Sequence, residues 1–315
     1  MKKILLSASV FVVSISLMAQ NSALLKLNLE KNKVYRLRSV TEQTVSQTIN
    51  GNQQTVDSKV GYTVSLKMID RTPDFMVTEV HFDTLFTKTN SMGKITTFSS
   101  AVEGNIKSSE MGDIISCLMN RLSKNALYVK LDFTGKPVEI INLKMLSDIV
   151  LKDTSSITLT GIMGSAVKKQ VGNIVSDDNL KTTIGMFTWN LPGKEVAAGE
   201  NWTTTQQTNS GGMELTIKNS YQLDAIKGDN AEIMAESSIK AADNAAPIKS
   251  AGATVTYDNL LGVGKSNIVI DTRTGLVVNG GSKTHITGNL GISAPGVSMQ
   301  MPMDINSESN IKSVE

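Results

Sequence analysis

The sequence predicts an α+β protein dominated by antiparallel β-sheet, built from two internally repeated halves with a helical insertion between them. Three observations predict it. Apolar and polar residues alternate on both flanks of the chain, apolar residues recur at helical spacing in the middle, and an ordered set of short segments from the first flank returns in the second.

The chain opens on Lys2 and Lys3, an apolar run from Ile4 to Leu17, and Met18-Ala19-Gln20-Asn21. That is the order of a Sec-type signal peptide with Ala19 at the cut, so residues 1–19 are expected to leave. The one cysteine, Cys117, is far from the cut, so no thiol stands there to take a lipid anchor. The expected product is periplasmic or secreted. Removing Lys2 and Lys3 from 31 basic residues leaves 29, matching the 29 acidic ones. A neutral chain has no field to steer nucleic acid, and no nucleic-acid partner is expected. The signal's apolar run is shorter than the ~18 residues of a spanning helix, and nothing downstream approaches it, so the chain is not expected to span a membrane. One cysteine makes no intramolecular disulfide, which leaves packing alone to hold the fold.

The first repeat is assigned to residues 20–142. Glu30-Lys31-Asn32-Lys33-Val34-Tyr35 leads into a Thr/Ser/Gln-rich strand, Arg36 to Ile49, with Ser39, Thr41 and Gln43 on the face that Tyr35 and Leu37 begin. Val60, Tyr62, Val64, Leu66 and Met68 share a face of the next strand. Val80, Phe82 and Phe86 are expected to share one in the strand from Phe75, with Glu79, His81 and Asp83 opposite. Ile114, Ile115, Leu118, Met119 and Leu122 recur at helical spacing, giving a helix near 110–125 with Ser108 or Ser109 as its cap. Residues 143–187 read as a helical connector of three further helices, near 143–151, 158–175 and 177–185.

The second repeat is assigned to residues 188–315. Ala197 to Trp202 parallels Glu30 to Tyr35, placing Gly199 opposite Asn32, two residue types that tolerate a left-handed backbone. Tyr221–Asp229 parallels Tyr62–Asp70, and Ile268-Val269-Ile270-Asp271 with Thr274-Gly275 parallels Val129-Lys130-Leu131-Asp132 with Thr134-Gly135. The last strand alternates Val297, Met299, Met301, Met303 and Ile305 with polar residues, and pairs through Ser293-Ala294-Pro295-Gly296 with a strand carrying Ile286, Leu290 and Ile292. Pro302 lacks a donor, which puts it at a sheet edge or bulge.

The run Leu29 to Leu37, the strand-turn Leu131-Asp132-Phe133-Thr134-Gly135-Lys136-Pro137, and Gly199-Glu200-Asn201-Trp202 resemble secreted domain-of-unknown-function proteins of Bacteroidota. The resemblance spans most of the mature chain. It implies a β-rich fold and an envelope location, and brings no catalytic residues. In architecture alone the chain is similar to the open half-barrels of periplasmic lipoprotein carriers.

Catalytic chemistry finds little footing. Asp132 and Asp271, one from each half, could form a carboxylate pair, but their glycines follow by three and four residues where aspartic proteases have two; capping a turn explains both. His81 with Glu79 and Asp83 could hold a metal only with a second histidine nearby, and a solvated polar face explains the trio. His285 has no assigned role. Cys117 reads as an inert, partly buried thiol. Asp83-Thr84-Leu85 matches a short bacterial O-glycan acceptor pattern, and an ordinary strand accounts for it. No Gly-x-Ser-x-Gly elbow or phosphate-binding glycine loop occurs. The expectation is a non-enzyme with no cofactor and no metal. It binds an apolar or amphipathic envelope component, such as a lipid, in a cleft walled by Ile114, Leu118, Met119 and Leu122 and by Val297, Met299, Met301 and Met303. The alternative is an envelope scaffold that docks another protein through a sheet edge.

Overall fold

Alternation over long stretches makes long strands, and in the computed structural model they join into one sheet. The structure describes residues 22–49, 51–159, 161–188, 191–210, 213–243, 245–250, 253–294 and 296–314, so the expected signal peptide lies outside the described residues. Strand β1 (Ser22–Leu25) is followed by a meander of β2 (Val34–Ile49), β3 (Asn52–Arg71) and β4 (Phe75–Ser91), with β5 (Lys94–Ser99) turning back on β4. Helix α1 (Met111–Ser123) precedes β6 (Leu127–Asp132) and β7 (Pro137–Ile140). Helices α2 (Leu143–Val150), α3 (Gly161–Ile174) and α4 (Asp177–Thr188) follow. The second flank runs through β8 (Lys194–Ala197), β9 (Asn201–Ser210), β10 (Met213–Lys227), β11 (Asn230–Ala241), β12 (Ile248–Ser250), β13 (Ala253–Asp271), β14 (Val277–Ala294) and β15 (Val297–Val314).

The main sheet has the order β7-β6-β4-β3-β2-β15-β14-β13-β11-β10-β9, antiparallel throughout, with β5 on β4 and β12 on β13. Strands β2-β3-β4-β6-β7 and β9-β10-β11-β13-β14 therefore follow the same order in the two flanks. Strand β15 joins the flanks by pairing β14 on one side and β2 on the other, from Met303–Gln47 to Val314–Arg36. The β14–β15 hairpin has the register its alternation predicts, with Ile292 opposite Met299, Leu290 opposite Met301 and Ile286 opposite Ile305. Pro302 sits one residue beyond the last β15–β2 pair, where that side of the strand is a local edge.

The four expected helices form, and α1 presents Ile114, Ile115, Leu118 and Leu122 to the core. Its N-cap is Glu110, while Ser108 bonds the Glu110 amide and the Asp113 carboxylate one step outside the helix. The helices and the segment after β1 cover one end of one sheet face. There Leu25, Leu27 and Leu29 join Leu66 and Phe82 from the first flank, Phe187 from α4, and Tyr221, Leu223 and Ile270 from the second flank in a single cluster. The segment also ties the flanks together by hydrogen bonds: Leu27 N donates to Phe133 O and the adjacent Asn28 N to Thr274 O, both at 2.8 Å. Those carbonyls belong to the matched Thr-Gly turns, whose Gly135 and Gly275 take φ of 85° and 75°. Gly275 also leaves room that no side chain could share, since a Cβ there would lie 2.3 Å from Lys26 O.

A second, smaller cluster lies on the same face at the other end: Leu215, Ile239, Leu260, Met303 and Ile305. Between the two runs a hydroxyl and amide seam, with Thr41 bonded to Ser309 (2.7 Å) and Gln43 to Ser307 (3.1 Å). The polar residues of β2 thus stay on the Tyr35–Leu37 face, bonded across to β15.

One facing differs from the alternation. A bulge in β4 around Asp83 shifts the register between Thr63 and Val64, so Phe82 and Leu85 point into the core and Phe86 passes to the opposite face. The Phe86 ring then occupies the space above Gly61, where a Cβ would lie 2.1 Å from ring carbon Cε1.

Thr78 is fully buried in β4 and its Oγ1 has no hydrogen-bond partner among the described residues. A lone buried hydroxyl costs about 1–3 kcal/mol, and valine has nearly the same shape. Thr78→Val is therefore expected to raise the urea midpoint, by about 1 kcal/mol of stability with an unchanged slope.

Candidate ligand-binding trough

The residues that alternate with the apolar ones share the other face of the sheet, and there they form rows across the strands. One row is charged at every position: Glu236 (β11), Lys265 (β13), Lys283 (β14), Glu308 (β15), Glu42 (β2), Lys59 (β3) and Lys88 (β4) stand directly opposite one another in turn. At about 4.8 Å per strand the row is about 29 Å long. Three of its neighbours are ion pairs, Glu236–Lys265 at 3.4 Å, Lys283–Glu308 at 3.6 Å and Glu42–Lys59 at 2.7 Å. The other three are like charges, Lys265–Lys283, Glu308–Glu42 and Lys59–Lys88, an arrangement that repels when directly opposite.

Two residues along the strands the next row is small, amide or apolar: Met234, Asn267, Gly281, Asn310, Val40, Gly61 and Phe86. On the far side of the charged row stand Val263, His285, Asn306, Thr44, Asp57 and Asn90. Most of these residues line a trough of about 1640 Å³, whose lining comes from β2, β3 and β4 in one flank and β10, β11, β13, β14 and β15 in the other. The trough is open and wet, with Lys265 and Lys283 about four-fifths exposed. Its apolar surface comes from Val40, Met234, Val263 and Val269 and from the stems of the lysines.

The expected cleft walls stand elsewhere. Ile114, Leu118 and Leu122 are buried under α1 in the main core, and Met119 packs against it. Met301 and Met303 are buried on the opposite sheet face, with Met299 half-buried beyond them. Val297 belongs to β15, and its side chain lies outside the described residues. None of these residues lines the trough. Its lining went unseen because it consists of the polar alternates; their position opposite the apolar ones was legible, but which of them meet across strands follows only from the register.

The other candidate groups are engaged locally. Asp132 Oδ1 accepts from the Thr134 and Lys136 amides and the Thr134 hydroxyl, and Asp271 accepts from the Arg273 amide and guanidinium. Each closes its own turn. Burial alone would raise the Asp271 carboxyl, but the side-chain and backbone hydrogen bonds of Arg273 outweigh it and hold the group below its usual range. Glu79 is bonded by Lys67 (2.8 Å) and His81 (3.0 Å), while Asp83 is bonded by Arg36 (2.9 Å), so neither carboxylate faces a shared centre. His285 pairs with Asp304 at 2.7 Å inside the trough. Cys117 is buried in α1, and Asp83-Thr84-Leu85 spans the β4 bulge with Leu85 in the core. In the second flank Trp202 and Tyr221 face each other across β9 and β10, with rings stacked at 5.2 Å. Burial pushes the Tyr221 phenol up to about 12, so it stays neutral.

Among the described residues no helix is long and apolar enough to cross a membrane. Residues 74–277 match the sequence model of DUF6263, described as a family of unknown function, and the chain belongs to that family. No curated protein matches the sequence. Several solved structures show a distant likeness to the chain, three of them as follows. A structure of lipovitellin, titled for its lipid–protein interactions, matches at 8% identity and a TM-score of 0.44, over 91% of this chain and 26% of that one, so the chain spans about a quarter of lipovitellin's length. An outer membrane channel from Pseudomonas putida matches at 9% identity and 0.25, over 91% and 97% of the two chains. A DUF1329 family protein from Desulfovibrio piger matches at 8% and 0.13, over 86% and 83%.

Hydrogen bonds from Lys67, then His81, hold the Glu79 carboxyl below its ordinary value. A lowered carboxyl stabilises the fold above the ordinary value of 4.5 and loses that contribution as pH falls through the folded value. Glu79→Gln is expected to lower the melting temperature at pH 7 by about 1–3 °C, with the gap to the unaltered protein closing in acid. Paired melts at the two pH values check it.

Proposed function

We propose that this DUF6263 member is a non-catalytic, exported envelope protein that binds an elongated amphipathic ligand along the trough. The observation that carries the reading is the trough itself: one concavity of about 1640 Å³, fed by eight strands of both flanks, mixing charged and amide groups with Val40, Met234, Val263 and Val269. A polar floor with apolar strips suits a molecule that has both characters better than a wholly apolar one. Export to the periplasm or the exterior is supported by Lys2-Lys3, the Ile4–Leu17 run and Ala19. Its relation to secreted Bacteroidota proteins belongs to the same reading.

A second reading has its own observation. Strand β9 ends the sheet, and Asn201–Ser210 contains no charge and no proline. Such an edge lacks the usual devices against strand addition and could accept a strand of another envelope protein.

Native mass spectrometry after gentle purification tests the leading reading: a co-purifying amphiphile is expected, and a repeatedly bare protein mass overturns it. Gly281 lies on the trough floor, where a Cβ would come no nearer than 3.4 Å to Asn310 Oδ1. Gly281→Trp is expected to obstruct the middle of the trough and weaken amphiphile binding while the melting temperature shifts little. Unchanged binding would place the ligand elsewhere.

A further inference from the structure

Four residues beyond the charged row, the trough contains a further pair of like charges. Lys312 of β15 stands directly opposite Arg38 of β2, both exposed and both lining the trough. Directly opposed side chains have their Cβ atoms about 4.5–5.5 Å apart, so the two cations repel in the empty protein. Lys59, Lys265 and Lys283 of the charged row each hold an ion pair, whereas Arg38 and Lys312, like Lys88 at the end of that row, take part in no ion pair or side-chain hydrogen bond among the described residues. Four carboxylates of the surrounding strands are occupied, Asp83 by Arg36, Glu42 by Lys59, Glu308 by Lys283 and Glu232 by Lys227. The sheet thus holds a fork-shaped guanidinium and an ammonium side by side in a concavity, with Asn279 next in the row to supply an amide donor and Val40 beside Arg38 on the same face.

Resting on the trough as the ligand site, we infer that the Arg38–Lys312 pair is its anion subsite and takes a phosphate or carboxylate group of the ligand. An anion between the two converts a repulsive pair into two charge-assisted hydrogen bonds, and the planar guanidinium can bind two oxygens at once. The ligand's apolar part then runs from Val40 toward Met234 and Val263. The same chemistry is offered by an anionic lipid headgroup and by a free phosphate, and these sources differ in whether the apolar strip contributes.

The test measures binding of three probes to the full mature protein: monomeric lysophosphatidylglycerol, monomeric lysophosphatidylcholine and inorganic phosphate. Each is measured with the unaltered chain, with Arg38→Gln/Lys312→Gln, and with Lys240→Gln as a control, an exposed lysine outside the trough that is paired with Asp243. The double variant removes a repulsion, so its melting temperature is expected to hold or rise, which keeps a folding defect from mimicking the result. Expected is a preference of about tenfold or more for the phosphatidylglycerol probe over the choline one, abolished in the double variant and kept in Lys240→Gln. Phosphate bound alone, lost in the double variant and indifferent to either lysolipid, supports the subsite with a small free anion as its source and removes the amphiphile reading. Equal binding of both lysolipids, unchanged in the double variant, overturns the subsite and leaves the trough reading standing. Loss of the preference in Lys240→Gln to the same degree overturns it as well, because the effect is then general charge. Binding of none of the probes overturns both.

Discussion

The pairing of β15 with β2 is the constraint on which the polar face depends. Its twelve residue pairs, from Met303–Gln47 to Val314–Arg36, turn two meanders into one sheet. Without it, Glu308 would not meet Glu42, Lys312 would not meet Arg38, and the trough would lose the seam through its centre. The register of this pairing is held from the other face. Leu37 lies in the main core, Ile305 in the smaller cluster, and the Thr41–Ser309 and Gln43–Ser307 hydrogen bonds lie between them. A slip of one residue would drive Leu37 into the trough and Arg38 into the core, so apolar burial on one side fixes the charge pattern on the other.

The main core has a related role. The flanks are brought together at one end by residues distant in sequence, with the segment around Leu27 and Asn28 bonded to one turn from each flank. The same turns are closed internally by Asp132 and Asp271. Groups that resemble a catalytic pair on paper are spent here on holding turn carbonyls in position for Leu27 and Asn28. The helices leave the other face of the sheet uncovered, and the trough lies there.

Much of the fold was legible because it rests on local periodicity. The α1 stripe, the alternation of β3 and the β14–β15 register each follow from residues close in sequence. What was missed depends on distant partners. Strand β13 runs from Ala253, yet only its end at Ile268–Asp271 stood out, because Gly262 and Gly264 interrupt the apolar signal before it. The β1–β8 pair is four residues on each side and carries too little pattern to find. Phe86 was assigned to the face of Phe82, and the bulge at Asp83 that reverses it leaves no mark in the residues themselves. The site shows the same division. Methionines and α1 apolar residues drew attention as cleft walls, but oily side chains are what a sheet buries first. Arg38 and Lys312 are separated by most of the chain, and nothing short of the register joins them.

The polar seam between the two clusters has a consequence for motion. Hydroxyl and amide pairs transmit less packing energy than interlocked aliphatic groups, so the end of the sheet around Met303, Leu260 and Leu215 is expected to open separately from the helix-covered end. Its amides should exchange with solvent through sub-global openings that leave the helix-covered end intact. A sheet so partitioned can splay at one end while the other keeps its shape.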